Sequence, residues 1–249
     1  MPPAILITGS GRRIGAVLAR AFGEAGWHVV IHYGVSRDEA EKLAGELPSA
    51  ECVTCDLADA EASLAMVEDL AARLTDWRAL VNCAAVFKVD SFEALDHATF
   101  SEAMAVNAEA PVRLTEAFLS RGRSRGGRRV INFLDMKLLN PNPDFFSYTM
   151  SKQALSAAVT MMAMAAPDPA DRIYGLAPGA IMASHDQEPE EHQVSGRMNL
   201  LRRITTPEEL ADAALFLADG WLASGETLYI DSGQHLLRQP RDVLFLARE

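Results

Sequence analysis

Three cysteines in 249 residues, no apolar run of bilayer-crossing length and no excess of basic charge set the first limits on this chain. Without the apolar run no membrane-spanning helix is expected. A formal net charge of -11 argues against a nucleic-acid surface as the main function. The one basic cluster, Arg121, Arg123, Arg125, Arg128 and Arg129, falls between a helix and a strand and reads as a solvated turn with ion pairs. The start, MPPAILITG, reads as entering a strand directly without a signal peptide, so a cytoplasmic, reducing setting is expected. Cys52 and Cys55 form a C-x-x-C, but in an extended segment their Cα atoms lie roughly 10 Å apart, too far for a disulfide. No second pair completes a zinc site, so these read as buried structural cysteines. His185 and His192 stand in no metal-ligand pattern, and no metal is expected.

What is present is alternation. Apolar runs at 4–8, 27–33, 50–55, 79–83, 128–134, 172–177 and 227–231 read as strands, and amphipathic stretches at 13–25, 37–47, 60–75, 99–120, 147–166 and 207–218 read as helices. Buried parallel strands are continuously apolar, and crossover helices cover both faces of their sheet. The pattern predicts one doubly wound Rossmann-type α/β domain over 1–249, with a parallel seven-stranded sheet. Ligands of such sheets bind at the carboxyl ends of the strands.

Those ends carry the polar residues. After the first strand, Gly9, Gly11 and Gly15 frame Arg13 and Ile14 in G-x-G-x-x-x-G, where glycines bring the backbone against a phosphate at a helix N-terminus. The second strand runs into Ile31-His32-Tyr33-Gly34-Val35-Ser36-Arg37, with no carboxylate to bind a ribose 2′-hydroxyl. Arg13, His32, Ser36 and Arg37 offer donors and positive charge to a 2′-phosphate instead, so NADPH is expected as the cofactor. In Y-T-M-S-K, Tyr148 and Lys152 stand one helical turn apart on one face. An ammonium there lowers the phenol pKa and fits Tyr148 for proton transfer. Asp135 ends the fifth strand, facing that helix. It reads either as an acid that keeps the phenol protonated or as a cap of the loop KLLNPNPDF. The acidic segment 183–200 reads as a loop-like substrate lid, and 236–249 as a C-terminal tail.

In TGSGRRIG, Asp56-Leu57, Asn82-Cys83-Ala84-Ala85, Asn107, YTMSK, Pro178-Gly179 and IDSG, the chain resembles the short-chain dehydrogenase/reductase family. The resemblance implies that Asp56 and Leu57 meet adenine, that Asn82 and Ala84 line the adenosine ribose, and that Pro178 and Gly179 border the cofactor. It also implies that Lys152 holds the nicotinamide ribose and that Asn107 supports a water path to it. Most members have Gly at Arg13 and Ser at Asp135. Arg13, the HY-x-x-S stretch at His32, Tyr33 and Ser36, and an Asp thirteen residues before the Tyr resemble the pteridine reductase branch instead. That branch implies a pterin-like substrate and hydride transfer to a C=N bond. Phe87 is then a stacking aromatic, with a core role as its alternative. Arg238 is an arginine sent to a neighbouring subunit's site, with a surface role as its alternative. Ala85 departs from a Ser common at its position. A homotetramer packed through 99–120 and 147–166 is also implied, its tail serving the adjacent site. The competing functions are a carbonyl reductase acting on another small molecule and a non-catalytic NADPH-binding protein.

Overall fold

The β-branched and leucine-rich strands segregate their side chains by parity. Ile5 and Ile7 of β1 (Ala4–Ile7) enter one core while Ala4 and Leu6 enter the other. In β2 (His28–Tyr33), Val29 and Ile31 part from Val30 in the same way. This period of two, repeated with apolar residues on both faces, commits the chain to a sheet covered on both sides. The computed structural model describes residues 2–184 and 186–249, and His185 lies outside the described residues.

The remaining strands are β3 (Ala50–Thr54), β4 (Trp77–Asn82), β5 (Arg129–Phe133), β6 (Arg172–Pro178) and β7 (Thr227–Ile230). All seven are parallel, in the order β3-β2-β1-β4-β5-β6-β7. Helices α1 (Arg13–Glu24), α2 (Arg37–Glu46) and, late in the chain, Pro207–Asp219 close one face around Leu18, Phe22, Leu43 and Leu217. On the other face α3 (Ala60–Arg73) packs with Trp77, Leu114, Phe118 and Val159. Burial of each large apolar side chain contributes about 1.5–3 kcal/mol.

The stretch expected as one helix over 99–120 is α4 (His97–Met104), a π turn (Ala105–Glu109) and α5 (Ala110–Arg121). Pro111 lacks the N–H that would bond the carbonyl of Asn107, and its ring crowds that carbonyl, so the helix widens there. Two residues earlier than expected, α4 starts behind Asp96, whose carboxylate accepts from Ala98 N and Thr99 N. The following helices are α6 (Phe146–Ala165), α7 (Pro189–Ser195), α8 (Pro207–Asp219) and the short α9 (Val243–Leu246). α7 corrects the loop-like reading of the lid, because Pro189 opens it and Glu188 and Glu191 cap it reciprocally.

The arginine cluster forms ion pairs, Arg128 with Asp171 and Arg121 with Glu68. All three cysteines are free and half-buried, where Cys52 and Cys55 were expected to be fully buried. Among the described residues no cluster of metal-binding side chains occurs, and no helix is long and apolar enough to cross a membrane.

Candidate active site

Strand β1 passes to β2 on one side and is paired with β4 on the other, which opens a crevice at the carboxyl ends. A cavity of about 540 Å³ lies there. Its walls include Gly9, Arg13, Ile14, Gly15, Ser36, Ala84, Phe87, Asp135, Tyr148, Lys152, Pro178 and Gly179, twelve of the residues the sequence singled out.

At one end the glycine turn is packed to contact. Gly9 has φ +66, and a Cβ on it would meet Ala84 Cα at 2.8 Å. A Cβ on Gly11 would strike Ser36 Oγ. The turn therefore lies flat between the β4 exit and the β2 exit, and only glycine permits it. No side chain caps α1 and no acid stands in its first turn, so its N-terminal dipole is offered to the cavity. These features fit a bound phosphate or pyrophosphate. Behind the wall, Thr8 Oγ1 accepts from Cys83 N (3.0 Å) and Ala84 N (3.1 Å).

Of the four residues expected around a 2′-phosphate, Arg13 and Ser36 line the cavity and His32 and Arg37 do not. His32 is buried, accepting from Gly9 N at Nδ1 (3.2 Å) and donating from Nε2 to Cys55 O (3.2 Å). Burial lowers its pKa to about 4, so it is a neutral brace of the glycine turn and supplies no positive charge. Arg37 is exposed and paired with Glu41 at 2.9 Å, outside the cavity wall. Arg13 adopts φ +55, a left-handed conformation that costs a non-glycine residue about 1–2 kcal/mol, and donates to Ala183 O at 2.8 Å. Ser36 lines the wall with Arg13, joined there by Arg12, which sequence reasoning missed. The signal for Arg12 was its place inside the glycine turn, overlooked because Arg13 carried the family pattern.

Gly11, Tyr33, Asp56, Leu57, Asn82, Asn107 and Arg238 also stand outside the wall. Tyr33 and Leu57 are core residues, and Asp56 accepts from Ala58 N at 2.9 Å. Asn82 donates across the sheet to Asn132 Oδ1 (2.9 Å). Asn107, on the π turn, accepts from Val86 N (2.8 Å) and donates to Val86 O (2.9 Å) and Ser151 Oγ (3.0 Å). It clamps the β4 exit to α6 and makes no direct bond to Lys152.

The other end holds the titratable groups. Tyr148 OH donates to Asp135 Oδ2 at 3.0 Å, while Lys137 N donates to Asp135 Oδ1 at 2.8 Å. Asp135 thus does both things the sequence left open, one oxygen for each. Burial raises its pKa, opposed by the Lys137 backbone bond. Tyr148 is pushed well above its ordinary value, first by burial and then by Asp135. This reverses the expectation that Lys152 lowers the phenol. Lys152 Nζ sits 5.6 Å from the Tyr148 ring centre and donates to Phe133 O at 2.6 Å, and its own pKa falls to about 8 through burial. Asp90 caps α6 from outside, accepting from Ser147 N at 3.1 Å, and so fixes where Tyr148 points.

Phe87 stacks on Phe145 (4.1 Å, 18°) and meets Tyr148 edge-on (4.6 Å, 88°). Phe145, at φ +52, was not read from the sequence. Nor was the tail's course. Asp242, Val243 and Leu244 line this chain's own cavity. Asp144 holds the tail through Arg241 Nε (2.8 Å) and Asp242 N (2.8 Å), and Lys137 Nζ donates to Asp242 Oδ2 at 3.2 Å. Arg248 binds Glu191 of α7 at 3.0 Å, tying the tail to that helix. Arg238 is exposed.

A family model described as Enoyl-(Acyl carrier protein) reductase matches residues 9–235. The chain is 29% identical over 238 residues to the 7alpha-hydroxysteroid dehydrogenase of Escherichia coli strain K12, covering 92% of each. It is 25% identical over 235 residues to the dihydromonapterin reductase of Enterobacter sp. strain 638, covering 93% of this chain and 96% of that protein. The solved structure of FolM alternative dihydrofolate reductase 1 from Brucella canis, complexed with NADP, superposes with a TM-score of 0.89 at 31% identity, covering 96% of both chains.

Proposed function

The chain belongs to the short-chain dehydrogenase/reductase family of oxidoreductases, and within it we propose an NADPH-dependent reductase of a pterin-type substrate. The observation that carries the reading is the Tyr148–Asp135 hydrogen bond, which puts a carboxyl group where most of the family has a serine hydroxyl. A serine hydroxyl suits a carbonyl oxygen. A carboxyl whose pKa is raised by burial suits a ring nitrogen, which is more basic and takes a full proton. The dihydromonapterin reductase relative and the solved dihydrofolate reductase agree with this choice.

NADPH, when bound, supplies the hydride. The glycine turn and the uncapped N-terminus of α1 would hold its pyrophosphate, with Arg12, Arg13 and Ser36 at the adenosine end. Lys152, an ammonium below pH about 8, would hold the nicotinamide ribose. As the carbon adjacent to the ring nitrogen gains the hydride, the phenol proton of Tyr148 would pass through Asp135 Oδ2 to that nitrogen in one concerted relay, and solvent would later return a proton to the phenolate. Phe87, backed by Phe145, would hold the flat ring in place.

The test follows loss of nicotinamide absorbance with dihydromonapterin, dihydrobiopterin and dihydrofolate beside simple ketones, each with NADPH and NADH. Turnover of a dihydropterin, faster with NADPH, is the expected result. Ketone turnover without pterin turnover overturns the substrate, and equal or better efficiency with NADH overturns the cofactor.

A further inference from the structure

The two pterin-reducing relatives act on molecules that differ in charge. Dihydrofolate carries a glutamate with free carboxylates, whereas dihydromonapterin carries a neutral chain of hydroxyls. The cavity end beside Tyr148 has the means to tell them apart.

Its roof is the tail, with Asp242, Val243 and Leu244 set beside Asp135 and Lys137. Of the cations at this end, Lys152 donates to Phe133 O (2.6 Å), and the others are held by carboxylates. Lys137, buried, donates to Asp144 O (2.7 Å) and Asp242 Oδ2 (3.2 Å), and Arg241 is held by Asp144 (2.8 Å). Arg238, the cation the sequence pointed to, does not line the wall. Asp242 also accepts from Leu244 N at 3.0 Å. A carboxylate has about four acceptor positions, so with two in use it still offers acceptors to hydroxyl or amino groups. An anionic group brought to the same place meets the Asp242 carboxylate with its own partner cation, Lys137, already taken, and among the described residues the other cation at this end of the wall, Lys152, is the one assigned above to the nicotinamide ribose.

We infer that Asp242, carried into the cavity by the tail, is a specificity-determining residue that favours pterins with neutral, hydroxyl-bearing substituents over pterins with anionic ones. This rests on the pterin reading above. One negative charge facing another across several ångströms of protein discriminates by about tenfold.

The experiment measures kcat/KM for dihydromonapterin and for dihydrofolate in three proteins: unaltered, Asp242→Asn and Arg241→Ala. Asp242→Asn keeps an acceptor for Leu244 N and removes the charge. Arg241→Ala loosens the tail and keeps the charge. The inference expects the ratio of dihydrofolate to dihydromonapterin to rise about tenfold in Asp242→Asn and not to rise in Arg241→Ala, which leaves the Asp144 carboxylate unpaired. An unchanged ratio in Asp242→Asn overturns it, and so do equal shifts in both variants, which would mark a role in tail placement only. Absence of turnover with either pterin in the unaltered protein removes the parent reading and this one with it. A measurement needing no variant compares 6-hydroxymethylpterin with pterin-6-carboxylate as competitive inhibitors. Weaker inhibition by the carboxylate, by about tenfold, supports the inference, and equal or stronger inhibition overturns it.

Discussion

Asp135 and Tyr148 act as one unit, and substitutions divide that unit in a measurable way. Tyr148→Phe removes the proton that passes through Asp135 and is expected to lower kcat about 100- to 10,000-fold, with NADPH binding nearly intact by titration. Asp135→Ser restores the common family residue and should depress pterin turnover far more than any ketone turnover; equal depression of both would separate the acid from ring-nitrogen chemistry. His32 gives a second prediction at this scale. Its folded pKa of about 4 lies below the ordinary 6.5, so the unfolded chain binds the extra proton first. Stability is therefore full above pH 6.5 and is lost as pH falls towards 4, by up to about 3 kcal/mol. Urea titrations across this window should show that slope, reduced in His32→Asn, with a smaller share left to His192, whose pKa burial also lowers.

Among the elements, the widened turn between α4 and α5 has a definable worth. It aims Asn107 at Val86 and Ser151, and Ser151 in turn donates to Tyr148 O at 2.6 Å. Asn107→Ala leaves the half-buried Val86 N–H without its partner and is expected to cost about 1 kcal/mol, read as a lower urea midpoint. Loss of activity should exceed the loss of folded protein, because α6 is released from the β4 exit. This element also shows what sequence patterning conveys. Apolar periodicity reported the strands and crossover helices within a few residues, since burial on a two-faced sheet writes itself into side-chain type. The π turn, the φ +52 of Phe145 and the α7 cap arise from single hydrogen bonds and local sterics, which periodicity does not carry.

For the whole molecule, the site legible in the sequence was the half built on motifs: the glycine turn, Ala84, Asp135, Tyr148 and Lys152 all reach one cavity. The half made by distant segments was not legible. Nothing in QPRDVLFLARE announces that Leu244 will pack with Phe145 and Tyr148, because that contact depends on the direction in which the tail leaves β7. Deleting 240–249 should raise the pterin KM at least tenfold while the NADPH dissociation constant changes little. Phe145 loses its contacts with Leu244 and Phe245, whereas the glycine turn loses none. Unchanged pterin kinetics in the truncated protein would deny the tail any part in the site.

The central pairing of β1 with β4 joins residues far apart in the chain: Leu6 lies opposite Leu80, a separation of 80 − 6 = 74 positions. Such a contact requires a large loop to close before any reward is gained, so the search for the native state is slow. The crevice exists only where those two strands lie side by side, so no excised fragment or early collapsed species contains it. On dilution from urea, recovery of NADPH binding should therefore coincide with the slowest tertiary phase, well after helical signal has returned.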